Sequence, residues 1–148
     1  MRTIEAVRRS GVAVRSDETI HQAAVVMEEA GVGSLAVLDG DELVGIVTDR
    51  DLVRRGMARS LAPDARVDGV MSAPVVTISA DSDLHDAFSV FGERSLRRLA
   101  VVQGDRFVGM ITIDDLLVDL ASDLSELVRP VTAEVLFAHR DSPVPTTT

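Results

Sequence analysis

Two short stretches of the sequence place a threonine and an aspartate at the same distance behind a glycine. Residues 45–51 read GIVTDRD and residues 109–115 read GMITIDD. The side chains concerned are Thr48, Asp51, Thr112 and Asp115. A carboxylate can accept hydrogen bonds from two vicinal hydroxyls of a sugar, as an acidic residue does for ribose in dinucleotide-binding folds. The same residues could instead cap a helix, but because both recur at one spacing we favour the ligand role.

This frame lies inside a longer internal repeat. A shift of 64 residues, from 45 to 109, aligns residues 12–53 with residues 76–117 without a gap. The alignment gives roughly 16 identities, far more than unrelated segments of this composition share. The chain therefore contains one unit written twice.

Each copy predicts the element order β-α-β-β-α. Asp17 and Asp81 are placed to cap a helix with a single apolar stripe. The stripes are Ile20, Ala23, Ala24 and Met27 in the first copy and Leu84, Ala87, Phe88 and Phe91 in the second. Two short strands follow, joined by the turn residues Gly-Asp at 40–41 and at 104–105, which favour tight hairpins. A second helix is expected directly after each Thr.

The two copies are expected to share one fold. A unit of about 60 residues buries too little apolar surface to be stable alone. We therefore predict an α/β (α+β) module of two pseudo-symmetric repeats packed sheet to sheet. A connector with a short helix from Asp64 to Met71 should join them.

Composition limits the classes of function. The chain has 148 residues, 46% of them hydrophobic, no cysteine and a formal net charge of −9. Disulfides and thiolate chemistry are excluded, and the negative charge argues against nucleic acid as a partner. No apolar run approaches the roughly 20 residues that cross a bilayer. We expect a soluble, cytoplasmic protein with no membrane partner.

These motifs resemble a tandem pair of cystathionine-β-synthase (CBS) domains, also called a Bateman module. The resemblance rests on the doubled frame, on the blocks SLAVLDGDELVGIVTDRDLV and RRLAVVQGDRFVGMITIDDLL, and on the lead-in VDGVMSAPVVTISADSDL. It spans residues 7 to about 120 and departs from the family at Ala36 and Ala100, where many members have proline. We assign residues 1–62 to the first CBS repeat, 63–128 to the second, and 129–148 to a C-terminal extension that is flexible at its end.

The resemblance implies a site for an adenosine-containing ligand between the repeats. Thr48, Asp51, Thr112 and Asp115 would then hold ribose. The adenine slot would use Ala13, Val32 and Gly33 for the Thr112/Asp115 site, and Thr77 and Leu96 for the Thr48/Asp51 site. Basic residues that reach phosphate would be Arg97 and Arg98, with Arg50 as a further candidate. Solvated surface charge is the alternative for Arg97 and Arg98, and a surface salt bridge is the alternative that we favour for Arg50.

The family resemblance further implies a non-catalytic regulatory role. The expected ligand is AMP, ADP, ATP or S-adenosylmethionine, with no required cofactor and no metal. Leu117, Leu120, Leu124 and Val128 lie on one apolar helix face, which predicts a homodimer acting on an unidentified protein target. The alternative is a ligand-free structural or interaction subunit with vestigial pockets. His21 and His85 recur at equivalent positions, but we interpret both as surface residues.

Overall fold

The computed structural model describes residues 3–141, with side chains described from residue 3 to residue 129. It confirms the predicted α/β fold of two repeats. The strands are β1 (Arg9–Ser10), β2 (Ala13–Arg15), β3 (Ser34–Asp39), β4 (Glu42–Thr48), β5 (Thr77–Ser79), β6 (Arg98–Gln103) and β7 (Arg106–Thr112). The α-helices are α1 (Ile4–Val7), α2 (Ile20–Ala30), α3 (Asp49–Asp51), α4 (Leu84–Arg94) and α5 (Ile113–Asp141).

The two sheets have the same internal pattern. In the first, β2 pairs in parallel with β3, and β3 forms a hairpin with β4; in the second, β5, β6 and β7 repeat this order. Both hairpins turn through a glycine with positive φ, Gly40 at 60° and Gly104 at 63°. The left-handed conformation favours glycine there, and the predicted hairpins are confirmed.

The N-caps of helices α2 and α4 lie two residues later than predicted. Thr19 accepts a hydrogen bond from the Gln22 amide, and Asp83 accepts one from the Asp86 amide. The prediction that Asp17 and Asp81 would cap these helices is therefore wrong. The chain needs a short turn after β2 and β5 before a helix can start, and the caps follow that turn.

Each of these helices buries one stripe against its own sheet. The buried residues are Ile20, Ala23 and Met27 in α2, and Leu84, Ala87 and Phe91 in α4. Phe88 is half-buried, whereas Ala24 is exposed, contrary to its predicted place in the stripe.

The segment before each repeat crosses to the sheet of the other repeat. We define residues 3–12 as the first lead-in segment and residues 66–76 as the second. Strand β1 of the first pairs antiparallel with β7 of the second repeat, and Ile4 is buried in that repeat's core. In the second, Ser72 pairs with Ile46 in β4. The two repeats are joined by this exchange as well as by contacts between β4 and β7.

The segments after the strands differ between the repeats. Behind β4, α3 lasts one turn and continues as a π-helix from Leu52 to Gly56 and a 3₁₀-helix from Met57 to Arg59. Behind β7, α5 is one long helix. In the connector, the predicted helix from Asp64 to Met71 is only a 3₁₀ turn from Val67 to Gly69. The predicted tail includes residues 142–148, which lie outside the described residues.

Candidate functional site

The first Thr–Asp pair, Thr48 with Asp51, forms a reciprocal cap at the end of β4. The Asp51 amide donates to Thr48 Oγ1 at 3.0 Å, and the Thr48 amide donates to Asp51 Oδ2 at 3.0 Å. Asp51 Oδ1 lies 3.9 Å from Arg55 Nε, and the Asp51 side chain is only 16% exposed. One carboxylate oxygen is thus used by the backbone, and the other faces a guanidinium group.

The second Thr–Asp pair, Thr112 with Asp115, repeats this geometry at the end of β7. The Asp115 amide donates to Thr112 Oγ1 at 3.1 Å, and the Thr112 amide donates to Asp115 Oδ2 at 3.0 Å. Asp115 Oδ1 accepts a hydrogen bond of 2.8 Å from Arg9 Nε. The Asp115 side chain is 8% exposed, whereas that of Arg9 is 78% exposed. The buried Asp115 carboxylate is therefore paired with the exposed side chain of an arginine, which is long and flexible.

Capping therefore accounts for one oxygen of each aspartate. The reciprocal bonds are those of a capping box, and they hold each carboxylate in one orientation. The remaining Oδ1 atoms are the oxygens that could accept from a sugar. Neither carboxylate points into bulk solvent, since both lie within the protein surface beside an arginine.

The frame glycines Gly45 and Gly109 lie inside strands β4 and β7. Gly45 pairs with Val37 and Gly109 with Val101. A Cβ at Gly45 would overlap the Met71 sulfur, and one at Gly109 would overlap the Arg9 carbonyl oxygen. The glycines thus allow each lead-in segment to pass close to the strand that carries the Thr–Asp pair.

A salt bridge helps to hold the first lead-in segment. The guanidinium group of Arg8 donates two hydrogen bonds of 2.8 Å to the Glu5 carboxylate and one of 2.8 Å to the Val108 carbonyl. The hydrogen bond from Arg8 lowers the pKa of the Glu5 carboxyl below its ordinary value. The contact with Val108 ties the lead-in segment to β7 beside Gly109.

The predicted adenine-slot residues occupy the strand starts. Ala13 and Thr77 are exposed residues that pair with Ala36 and Ala100 at the centre of each sheet. The Gly33 carbonyl accepts a hydrogen bond of 2.9 Å from the Asp49 amide, so Gly33 borders the first Thr–Asp pair. The remaining residues of the slot, Val32 and Leu96, are half-buried and pack against the core of their own repeat. Their assignment to an adenine site stays a prediction.

The predicted phosphate residues fall into two groups. Arg98 is the register partner of Thr112, and the Arg97 carbonyl accepts a hydrogen bond of 3.0 Å from the Ile113 amide. Both arginines therefore lie next to the second Thr–Asp pair. Arg50 is exposed and follows the first pair directly. Positive charge is available at each pair, but it comes from different elements.

An open cleft of about 1690 Å³ lies between the two hairpins. Its walls are the hairpin turns of both repeats and the second lead-in segment from Ala73 to Val75. Of the predicted site residues it contains Thr77 alone. The Thr–Asp pairs lie at the opposite ends of β4 and β7, about 20 Å along the strand at 3.3 Å per residue. The cleft and the pairs are separate features.

Sequence reasoning missed the arginines that face the aspartates. Arg55 lies four residues after Asp51, a spacing at which side chains on a helix are neighbours. The sequence could therefore have indicated this contact. Arg9 is 106 residues from Asp115 and approaches it only because the first lead-in segment crosses to β7. No local pattern indicates that contact.

The crossed repeats, each with a Thr–Asp pair at a strand end, form a duplicated α/β module. Residues 4–58 and 67–122 each match the CBS domain family. The chain belongs to this family, and its tandem CBS pair is a regulatory module and not an enzyme. The resemblance inferred from the sequence is confirmed.

Individual relatives agree with this assignment. The chain is 35% identical to the protein YlbB of Bacillus subtilis over 67% of this chain and 68% of YlbB. It is 32% identical to hypoxic response protein 1 of Mycobacterium tuberculosis, over 78% of this chain and 83% of the relative. A crystal structure of hypoxic response protein I with two coordinated zinc ions matches with a TM-score of 0.70, over 78% of this chain and 97% of that one, at 31% identity. The structure of CBSX2 in complex with AMP has the same fold, with a TM-score of 0.68 over 82% of this chain and 98% of CBSX2, at 21% identity.

The described part of the chain contains neither a cluster of metal-binding side chains nor a membrane-spanning helix. Between residues 3 and 129, no three His, Asp or Glu side chains are grouped so that they could hold a metal ion. Across the described helices, none is both long enough and apolar enough to cross a membrane. His21 and His85 are exposed.

Proposed function

We propose that the chain senses an adenosine-containing ligand through its Thr–Asp pairs. The candidate ligands are AMP, ADP, ATP and S-adenosylmethionine. The observation that carries the proposal is the second pair, in which a nearly buried carboxylate keeps Oδ1 directed at an exposed, exchangeable guanidinium group. A ribose with two vicinal hydroxyls could replace that group at Oδ1, while Oδ2 stays bonded to the Thr112 amide and keeps the carboxylate in place.

The surroundings of each pair suit such a ligand. Each crossing lead-in segment passes close to the strand that carries a Thr–Asp pair, beside Gly109 in β7 and Gly45 in β4. Arginines 97, 98 and 50 supply positive charge near the strand ends. That CBSX2 has been solved with AMP is consistent with an adenosine ligand on this fold.

Occupancy would be passed on through a homodimer. Helix α5 starts directly at the second Thr–Asp pair, and its described part exposes Leu117, Leu120, Leu124 and Val128. Burial of these side chains against a second copy would remove apolar surface from water. A ligand that shifts the start of α5 would then change the surface that the dimer offers to a protein target.

A second candidate is a ligand-free interaction subunit. The observation that favours it is that each aspartate already has hydrogen-bond or ionic partners on both oxygens. In that case the Thr–Asp pairs serve the fold alone, and the exposed helix face is the functional surface.

Isothermal titration with each of the four ligands separates the two candidates. Asp115→Asn and Asp51→Asn retain the side-chain shape but remove the charge that a ribose would contact. Asp83→Asn is the matched control, because Asp83 also accepts from a helix amide but lies away from both pairs. The proposal expects binding that Asp115→Asn or Asp51→Asn weakens by about tenfold or more and that Asp83→Asn preserves. Absence of binding by every ligand supports the interaction subunit.

A further inference from the structure

We propose that Arg9 is a displaceable counter-ion that makes the second Thr–Asp pair select ligands carrying a phosphate group. The inference rests on the proposed function and assigns the ligand class at one of its two sites. It starts from the hydrogen bond of 2.8 Å between Arg9 Nε and Asp115 Oδ1.

The first step is that Arg9 occupies the oxygen a ribose would need. Asp115 Oδ2 is bonded to the Thr112 amide, so Oδ1 is the acceptor left for a sugar hydroxyl. A ligand must therefore displace the Arg9 contact. Displacement costs little, because an ion pair with so exposed a partner contributes only weakly to stability.

The second step is the fate of the displaced guanidinium group. Arg9 is anchored by its backbone in β1, with Arg9 paired to Met110 and Ser10 to Gly109. Its side chain cannot leave the neighbourhood of the site. An anionic group on the bound ligand would give it a new partner in bidentate geometry, whereas an uncharged nucleoside would leave it in solvent. A cationic sulfonium ligand would be repelled.

The two pairs differ in this respect. Arg55, which faces Asp51, also donates to the Met71 carbonyl at 3.0 Å, so it is held by the backbone of the second lead-in segment. Its distance to Asp51 Oδ1 is 3.9 Å, longer than a hydrogen bond. At the first pair, the position that corresponds to Arg9 is Ser72, which pairs with Ile46 in β4 as Arg9 pairs with Met110 in β7. Ser72 carries no charge. Charge selection by a displaceable arginine is therefore a property of the second pair.

The experiment compares AMP with adenosine, since they differ by the phosphate group alone. Titrations are made with the Asp51→Asn chain, so that the second pair is read without the first. In that background, Arg9→Gln should weaken AMP binding by about tenfold. It should leave adenosine binding unchanged or up to about fivefold stronger, because the weak ion pair no longer competes. Arg9→Lys should retain part of the preference for AMP.

Arg15→Gln is the matched control. Arg15 has a side chain 74% exposed and pairs with Asp17, so the substitution removes the same charge from a similar surface position. It should change either affinity by less than about twofold. Unchanged thermal unfolding of both variants would show that the fold is intact.

The outcomes separate this inference from the function on which it rests. A fall in AMP affinity together with steady adenosine affinity supports the role of Arg9. The role of Arg9 is overturned if Arg9→Gln lowers the affinities for AMP and adenosine equally. It is also overturned if Arg9→Gln changes neither affinity while Asp115→Asn still abolishes binding. In both cases the site itself remains supported. If AMP and adenosine both fail to bind the unmodified chain, the inference about Arg9 fails; if ADP, ATP and S-adenosylmethionine also fail to bind, the proposed function fails with it.

Discussion

Replacing Gly109 by alanine should destabilise the protein more than the same change at Gly45. Neither glycine is among those with positive φ, so alanine would fit the backbone and would by itself favour a strand slightly. The difference comes from what the new Cβ meets. At Gly109 it overlaps the carbonyl oxygen of Arg9, and at Gly45 it overlaps Sδ and Cγ of the Met71 side chain.

The cost at Gly109 can be worked out along two routes. If β1 stays in place, the overlap forces a backbone shift, and overpacking of this kind costs about 1–3 kcal/mol. If β1 detaches, the pairings of Arg9 with Met110 and of Ser10 with Gly109 are lost, and roughly two hydrogen bonds at about 0.5–1.5 kcal/mol each give the same range. At Gly45 the Met71 side chain can rotate away from the added methyl group, with the Ser72 carbonyl still 3.1 Å from the new Cβ, so there we expect less than about 1 kcal/mol.

Urea denaturation of the two variants and the parent chain measures the difference in unfolding free energy. The m-values should be equal if the comparison is sound. A Gly109→Ala variant as stable as the Gly45→Ala variant would show that β1 does not pack against β7 as described, and it would remove the structural basis for placing Arg9 beside Asp115.

Three other changes test other parts of the molecule. Ile111→Ala should cost about 2–5 kcal/mol in urea denaturation, because Ile111 is fully buried in the second repeat's core; a cost below about 1 kcal/mol would contradict that packing. Glu5→Gln should lower stability at neutral pH but not in acid: the folded-state pKa of Glu5 is depressed from 4.5 by Arg8, so its contribution is present above 4.5 and lost as the pH falls through the lowered value. Denaturation at two pH values checks this, and a difference between parent and variant that persisted in acid would count against it. Leu124→Glu should turn a dimer into monomers in light scattering without loss of thermal stability, because Leu124 is 57% exposed in the single chain; an unaltered mass would exclude this face as the interface.

The sequence predicted the repeat because the features that repeat are local. The turns at 40–41 and 104–105 and the helical stripes act over fewer than about ten residues. Each can be recognised without knowing its neighbours in space. The misplaced caps at Asp17 and Asp81 are an error of the same local kind, because several nearby polar side chains competed for one helix start.

The lead-in exchange could not be predicted in this way. Strand β1 has two residues, too few to show a period, and its partner strand lies about 100 residues away. The pairing is possible because Gly109 has no side chain to block it. Residues 9–10 themselves show no pattern that predicts a strand. The contact of Arg9 with Asp115 follows from that pairing, so it was missed for the same reason.

The exchange also explains how two repeats with identical Thr–Asp pairs can carry two unequal sites. The residues that repeat identically, including both Thr–Asp pairs, fix the backbone and the orientation of each carboxylate. The charge near each Thr–Asp pair comes from positions where the copies differ. Arg9 pairs with β7 where Ser72 pairs with β4, and Arg97 and Arg98 stand where the first repeat has Gly33 and Ser34. Because each lead-in crosses to the opposite repeat, a substitution in one copy changes the site of the other. Selection for ligand charge at the second pair can therefore be altered through residue 9 without disturbing the strand, the turn or the helix that hold Asp115.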